Sequence, residues 1–285
     1  MIPLYPETKE VTLEDKKELI PFFATTGERI SEFTFANIYL FRYTHNYRLS
    51  RLPDGNILIT GSDEGESFFM LPAGLTEKGL LYELFERFSS MKCVSEGLKE
   101  RLVELGYLLK EDRDNFDYLF LTAELAAFSG RKMHKKKNLY NKFVSTYRAT
   151  LKPIDKDTGQ DVLQVLERWR EEREDEGDYR AAREGVELFY ELGLEGTICY
   201  IDDTPSAYII GEPHPIGDTF LFHFRKSLRG YTGIAEFVLK NFAESIKERF
   251  EYINMEQDLG KEGLRQAKLG FRPMGFVKKF RAYRE

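Results

Sequence analysis

The amino-acid sequence predicts an α+β protein of two successive domains, each a mixed sheet flanked by helices. Period-2 strand patterns and period-3.6 helix patterns interleave along the whole chain, which requires sheets covered by helices rather than an all-helical or all-strand architecture. The pattern restarts after Leu151-Lys-Pro-Ile154, which sets the expected domains at 1–150 and 151–285. The 285 residues, 42% hydrophobic with 23 Phe and 16 Tyr, can fill two cores of ordinary size.

The first half opens at Thr12-Leu-Glu-Asp15, where Thr12 is placed to accept the amide of Asp15 ahead of a helix through Lys16–Phe23. Phe33, Phe35, Tyr39 and residues 41–43 form an aromatic segment that reads as core, because aromatic burial dominates core energetics. Asn46–Arg51 and Asn56–Thr60 alternate as strands about the turn Pro53-Asp-Gly-Asn56. Strand Ser67–Leu71, helices Glu77–Ser89 and Glu96–Leu105, and strand Asp117–Thr122 complete this half, and no group of its residues reads as catalytic.

Composition removes several function classes. No run approaches the ~18 apolar residues of a membrane span. Met1-Ile-Pro-Leu-Tyr-Pro-Glu7 has neither the basic start nor the apolar core of a signal peptide, so a cytoplasmic protein without a transmembrane segment is expected. Cys93 and Cys199 are too few and too isolated for a disulfide framework, and His45, His134, His214 and His223 form no HExxH pattern. No metal and no tightly bound cofactor is therefore expected. The net charge of −6 is unevenly spread: residues 131–152 carry eight basic side chains and no acid, whereas Glu167–Glu191 is dominated by carboxylates. A basic run without alternating acids can make a local anion site on an acidic protein. A helix beginning near Arg131, just after Ser129-Gly130, would add its free amides and its dipole. The plain alternative is a solvated helix face.

In the second half, Asp157-Thr-Gly-Gln160 reads as a capping box opening an amphipathic helix through Val162, Val165, Leu166 and Trp169. After the acid-rich stretch Glu171–Asp178 a helix resumes over Tyr179–Leu192, and Thr197–Ile201 and Ser206–Ile210 pair around Asp202-Asp-Thr-Pro205. Strand Thr219–Arg225, helix Gly233–Phe250, strand Tyr252–Met255, helix Lys261–Leu269 and strand Phe276–Phe280 follow. Two helices, an antiparallel meander, a strand feeding a long helix, then strand, helix and strand resembles the element order of a GNAT (N-acetyltransferase-like) domain. Within it, Arg229-Gly-Tyr-Thr-Gly-Ile-Ala235 occupies the place where such enzymes hold the pyrophosphate of acyl-CoA. Gly230, Gly233 and Ala235 allow close backbone approach there, while Arg229 stands one position early against the usual pattern.

The stretch Tyr252–Lys268 runs a strand into a polar, glycine-punctuated loop and a short cationic helix. Together with the strand, Ser-Gly pair and basic helix over residues 117–143, it resembles the phosphatidylglycerol lysyltransferase C-terminal family over nearly the full chain. The wording Glu-Gln-Asp-Leu-Gly and Gly-Leu-Arg-Gln-Ala-Lys is similar to that of the soluble, stand-alone members. The resemblance implies two tandem GNAT-like domains and acyltransferase activity with aminoacyl-tRNA as the favoured donor. It also implies a tRNA-facing surface at Lys135, Lys136 and Lys137, and an amine or hydroxyl acceptor on a small molecule, a lipid headgroup or a peptide. An acyl-CoA-dependent N-acyltransferase, and a non-catalytic RNA- or anion-binding module, stand as alternatives.

Candidate site residues gather where strands end against helices. Strict alternation over Phe220–Arg225 sets His223 and Arg225 on the face opposite the phenylalanines. His223 is a candidate general base or a hydrogen-bonded structural histidine. Arg225, Lys226, Arg229, Gly230, Tyr231, Gly233 and Asn254 are candidate donor contacts. Beyond Asn254, Glu256 and Asp258 are the carboxylates expected to activate the acceptor, with Arg265 and Lys268 holding a phosphate or carboxylate. Asp258 equally fits a cap on the helix that follows.

Overall fold

The computed structural model describes residues 1–284. In chain order the elements are β1 (Lys9–Glu10), α1 (Lys16–Ala24), α2 (Phe35–Leu40), β2 (Arg48–Arg51), β3 (Ile57–Asp63), β4 (Glu66–Met70), α3 (Lys78–Arg87), β5 (Ser90–Val94), α4 (Glu96–Glu104) and β6 (Leu108–Glu111). Then come β7 (Asp117–Leu121), α5 (Thr122–Ala127), α6 (His134–Thr146), β8 (Ala149–Pro153), α7 (Gly159–Glu171), α8 (Tyr179–Glu187), α9 (Phe189–Leu192), β9 (Glu195–Ile201), β10 (Thr204–Pro213) and β11 (Thr219–Ser227). The chain closes with α10 (Ile234–Ile246), β12 (Tyr252–Asn254), α11 (Glu262–Leu269), β13 (Gly275–Val277) and β14 (Phe280–Tyr283). No described helix is long and apolar enough to cross a membrane.

Two seven-stranded mixed sheets result, in the orders β1-β2-β3-β4-β5-β14-β6 and β13-β7-β12-β11-β10-β9-β8. The compact units are Met1–Asp117 with Gln257–Gly260 and the chain from Phe276, and Tyr118–Glu256 with Lys261–Gly275. Each sheet contains a parallel pair, β4 with β5 and β11 with β12. Each then completes the far side of that pair with an antiparallel strand from the other end of the sequence, β14 beside β5 and β7 beside β12. The segment ahead of residue 150 that carries β7, α5 and α6 thus packs with the second unit from Tyr118 onward.

Several local expectations change. The strand expected over Phe276–Phe280 is two strands, β13 and β14, in different sheets. The expected Thr12–Asp15 capping box, by contrast, is present: the Thr12 side chain takes the Asp15 amide, and Asp15 Oδ2 accepts the Thr12 amide at 2.9 Å. Helix α7 is not opened by a capping box at Asp157: Asp155 Oδ1 accepts the amides of Asp157 and Thr158 at 2.9 and 3.0 Å, two residues earlier than expected. The first unit's core gathers Leu58, Phe69, Leu84, Phe85, Met91 and Leu102. In the second, Phe220 and Phe222 of β11 pack against Phe242 of α10 with ring centroids 5.3 and 5.5 Å away.

Two features of the second sheet set up its site. Strands β11 and β12 pair only at Thr219↔Tyr252, Phe220↔Ile253 and Leu221↔Asn254, after which β12 ends and β11 runs on beside β10, so the sheet opens. At that opening Ile210 and Gly211 face Phe224 and Phe222, which leaves His223 as an extra residue, a β-bulge. Gly211 permits it: a Cβ there would lie 1.9 Å from the Leu221 carbonyl oxygen.

Candidate functional site

The bulge changes which side chains share a face. A one-residue slip reverses the alternation beyond it, so His223 and Arg225 part company, contrary to the strict alternation expected for β11. Arg225 turns to the α10 side, where its guanidinium lies 5.2 Å from the ring centroid of Phe271. Burial lowers its pKa, opposed by the nearby Glu236 carboxylate. Lys226 comes to the α7 side with His223. Its ammonium bonds Asp178 Oδ2 at 2.6 Å and lies 3.9 Å over the Trp169 ring. Lys226 is buried rather than solvated, and that burial lowers its pKa against the pull of Asp178.

His223 is clamped between two carboxylates. Its Nδ1 lies 2.9 Å from Glu256 Oε1 and its Nε2 lies 3.0 Å from Glu212 Oε1. The side chain is 0% exposed, and burial alone would lower its pKa; the hydrogen bonds to Glu212 and Glu256 outweigh burial and raise it to about 10. At neutral pH His223 is therefore an imidazolium with both nitrogens donating, which removes the lone pair that the expected general base needs.

Glu256 is held from every side of its backbone. Its φ of +55° lies in the left-handed region, an uncommon conformation for a non-glycine residue. Its amide donates to Oδ1 of the buried Asn254 at 2.7 Å. Its carbonyl accepts from the Tyr118 amide at 3.3 Å and from Lys268 Nζ at 3.2 Å. Asn254 and Lys268 thus fix Glu256 at the mouth of the β11/β12 opening.

The turn before α10 is occupied by the chain itself. The Arg229 amide donates to the Glu172 carboxylate at 3.1 Å, and the Gly230 carbonyl accepts from the Tyr147 hydroxyl at 3.4 Å. Tyr231 packs edge-on to Tyr147, centroids 5.4 Å apart. Gly233, at φ +90°, lies so close to α6 that a Cβ would sit 2.2 Å from the Leu139 carbonyl oxygen. On α6, Lys135 and Lys137 are exposed. Lys136 is engaged with Glu236 at 2.9 Å and lies 3.8 Å over the Phe271 ring.

A family model described as "Phosphatidylglycerol lysyltransferase, C-terminal" matches residues 23–283. The chain belongs to that family. A conserved protein of unknown function from Bacteroides thetaiotaomicron superposes with a TM-score of 0.88 at 28% identity, over 100% of both chains. L-PGS from Bacillus licheniformis matches with a TM-score of 0.64 at 14% identity, over 100% of this chain and 94% of the other. FemX matches at 0.58 and 10% identity, over 96% of each chain. The last two likenesses are of fold, and the fold is a tandem GNAT-like one. A search among curated proteins found no match.

Within this family fold, Asp258 does not join Glu256. It is fully buried in the first unit, where Oδ1 accepts the Gly260 amide at 2.9 Å and Oδ2 faces Arg113 Nη1 at 3.2 Å. It shapes the turn before α11 without capping that helix, whose N-terminal flank is Lys261. Arg265 lies half-buried on α11.

Sequence reasoning missed two groups. Glu212 and Asp178 complete the clamp and the Lys226 pair; a glutamate closing the apolar run Ala207–Ile210 was the available signal for the first. The first unit also buries a charged network, in which Lys279 bonds Asp117 at 2.7 Å and Ser31 at 3.2 Å and pairs with Glu32. Burial and Glu32 push Asp117 up to about 6 against Lys279, while Lys279 and Lys92 hold Glu32 down at about 2 against burial. Its members lie up to 248 residues apart in sequence, so no local pattern announces it.

Proposed function

We propose that the protein is an acyltransferase that moves an aminoacyl group from aminoacyl-tRNA to an amine or hydroxyl acceptor in the cytoplasm, with no tightly bound cofactor. The acceptor nitrogen or oxygen bonds to the ester carbonyl carbon, the bond to the terminal ribose oxygen breaks, and the acceptor's proton ends on that ribose hydroxyl. Glu256 takes the proton from the acceptor, and the His223 imidazolium fixes the carboxylate's direction. Exposed Lys135 and Lys137 meet tRNA phosphates.

Family membership supports acyl transfer; the observation that carries the choice of donor is the turn before α10. A pyrophosphate cradle needs open amides and room for the phosphates to approach. Here a carboxylate of the chain already takes the Arg229 amide, and α6 lies against Gly233.

The test uses bulk tRNA charged with labelled amino acids, offered with small amines, peptides or anionic lipids in separate reactions, and acetyl-CoA as the rival donor. Label leaving tRNA for one acceptor class, in proportion to protein, is the expected result. Transfer from acetyl-CoA with inert charged tRNA would reverse the choice of donor.

A further inference from the structure

Tyr208 lies on β10 directly opposite Lys226 of β11. Directly opposed residues of an antiparallel pair project to the same side, so the Tyr208 ring shares the α7 side with Lys226, Asp178 and the Glu212–His223–Glu256 clamp. The residue is 0% exposed, and its hydroxyl has no hydrogen-bond partner. Buried tyrosine hydroxyls normally find one, and leaving such a group unsatisfied is destabilising. The neighbouring polar groups are committed to each other, Lys226 to Asp178 and His223 to its two carboxylates. On the α7 side of the sheet the Tyr208 hydroxyl is left without a partner.

We propose that the Tyr208 hydroxyl is reserved for substrate and donates a hydrogen bond to the carbonyl oxygen of the acyl group being transferred. The inference rests on the reading of the clamp as an acyl-transfer site. When the acceptor attacks the carbonyl carbon, the π electron pair moves onto that oxygen, and it returns as the bond to the ribose oxygen breaks. A donor aimed at this oxygen holds the ester in place and stabilises the charge that develops. Burial and the nearby Asp178 raise the Tyr208 pKa well above its ordinary value, so the hydroxyl keeps its proton and acts as a donor.

Tyr208→Phe tests this, because it removes the hydroxyl and keeps the ring. The probes are bulk tRNA charged with amino acids and the same tRNA discharged, with affinity for each measured for the wild type and the variant beside their melting temperatures. Loss of one substrate hydrogen bond should weaken charged-tRNA binding by about 3- to 10-fold. Discharged-tRNA binding should stay unchanged, and the melting temperature should be equal or higher. A lower melting temperature would show that the hydroxyl serves the fold, and equal affinity for charged tRNA would show that it does not meet the acyl group; either overturns the proposal. If the wild type itself does not distinguish charged from discharged tRNA, the aminoacyl-transfer reading fails and takes this inference with it.

Discussion

The carboxylate clamp on His223 makes stability depend on pH with a definite sign. Replacing Glu212 by Gln removes one of the two charges that face the imidazolium while keeping the shape of the side chain. A histidine whose pKa rises from 6.5 to about 10 on folding binds its proton more tightly in the folded state. Its contribution is complete below about pH 6.5 and is lost as pH climbs through about 10. Integrated over that window the ceiling is on the order of 5 kcal/mol, shared between Glu212 at 3.0 Å and Glu256 at 2.9 Å. Glu212→Gln should therefore cost roughly 2 kcal/mol at pH 6.5 and close to nothing above pH 10. Urea unfolding of wild type and variant at pH 6.5, 8 and 10 reads the difference directly, since it compares two proteins under identical conditions. A deficit of the same size at all three values would mean that His223 is neutral in the folded protein, and the clamp would have to be reassigned as a neutral hydrogen-bond network.

Other outcomes follow from particular interactions. Gly233→Ala should lower the melting temperature strongly, costing at least about 2 kcal/mol, because a Cβ there meets the Leu139 carbonyl oxygen at 2.2 Å. Gly230→Ala, at a similar φ of +94° but with nothing within 4 Å, should cost only about 1 kcal/mol; equal effects would mean that α6 does not press on the turn. Asp258→Asn keeps the acceptor for the Gly260 amide but loses the charge facing the partly exposed Arg113, so a urea midpoint should fall by the equivalent of about 1 kcal/mol, whereas Asp258→Ala should lose about 2 to 3. A silent Asp258→Asn would reduce that pair to a turn interaction. Replacing both Lys135 and Lys137 by Gln should lower the salt slope of tRNA binding by about 0.7 to 0.9 for each phosphate that the lysines neutralise, while Lys136→Gln should instead cost stability by stranding Glu236. An unchanged slope in the double variant would return α6 to a solvated face.

The order of elements in the second half was legible because alternation, glycine turns and helix periodicity are local signals, and His223 and Glu256 could be singled out at the strand ends that those signals define. The face on which Arg225 and Lys226 lie was not legible. The bulge that exchanges them depends on Gly211 of β10 approaching the Leu221 carbonyl, an approach between strands that no pattern within β11 records. Asp258 shows the same limit. Its spacing to the following helix suits a cap, yet its ion-pair partner is Arg113, 145 residues earlier. The exchange of β7 and β14 between sheets is long-range for the same reason: an open strand edge accepts a partner by hydrogen bonding and burial, and sequence distance does not enter.

In the proposed reaction Glu256, oriented by the His223 imidazolium, takes the proton of the acceptor during aminoacyl transfer. Single-turnover release of labelled amino acid from charged tRNA, in the presence of the acceptor class that supports transfer, tests it by comparing wild type with Glu256→Gln. The expected result is a folded variant that still binds charged tRNA but transfers about 10²- to 10⁴-fold more slowly, the usual contribution of a positioned acid–base group. Transfer by Glu256→Gln at the wild-type rate would contradict the account and move the chemistry away from the clamp.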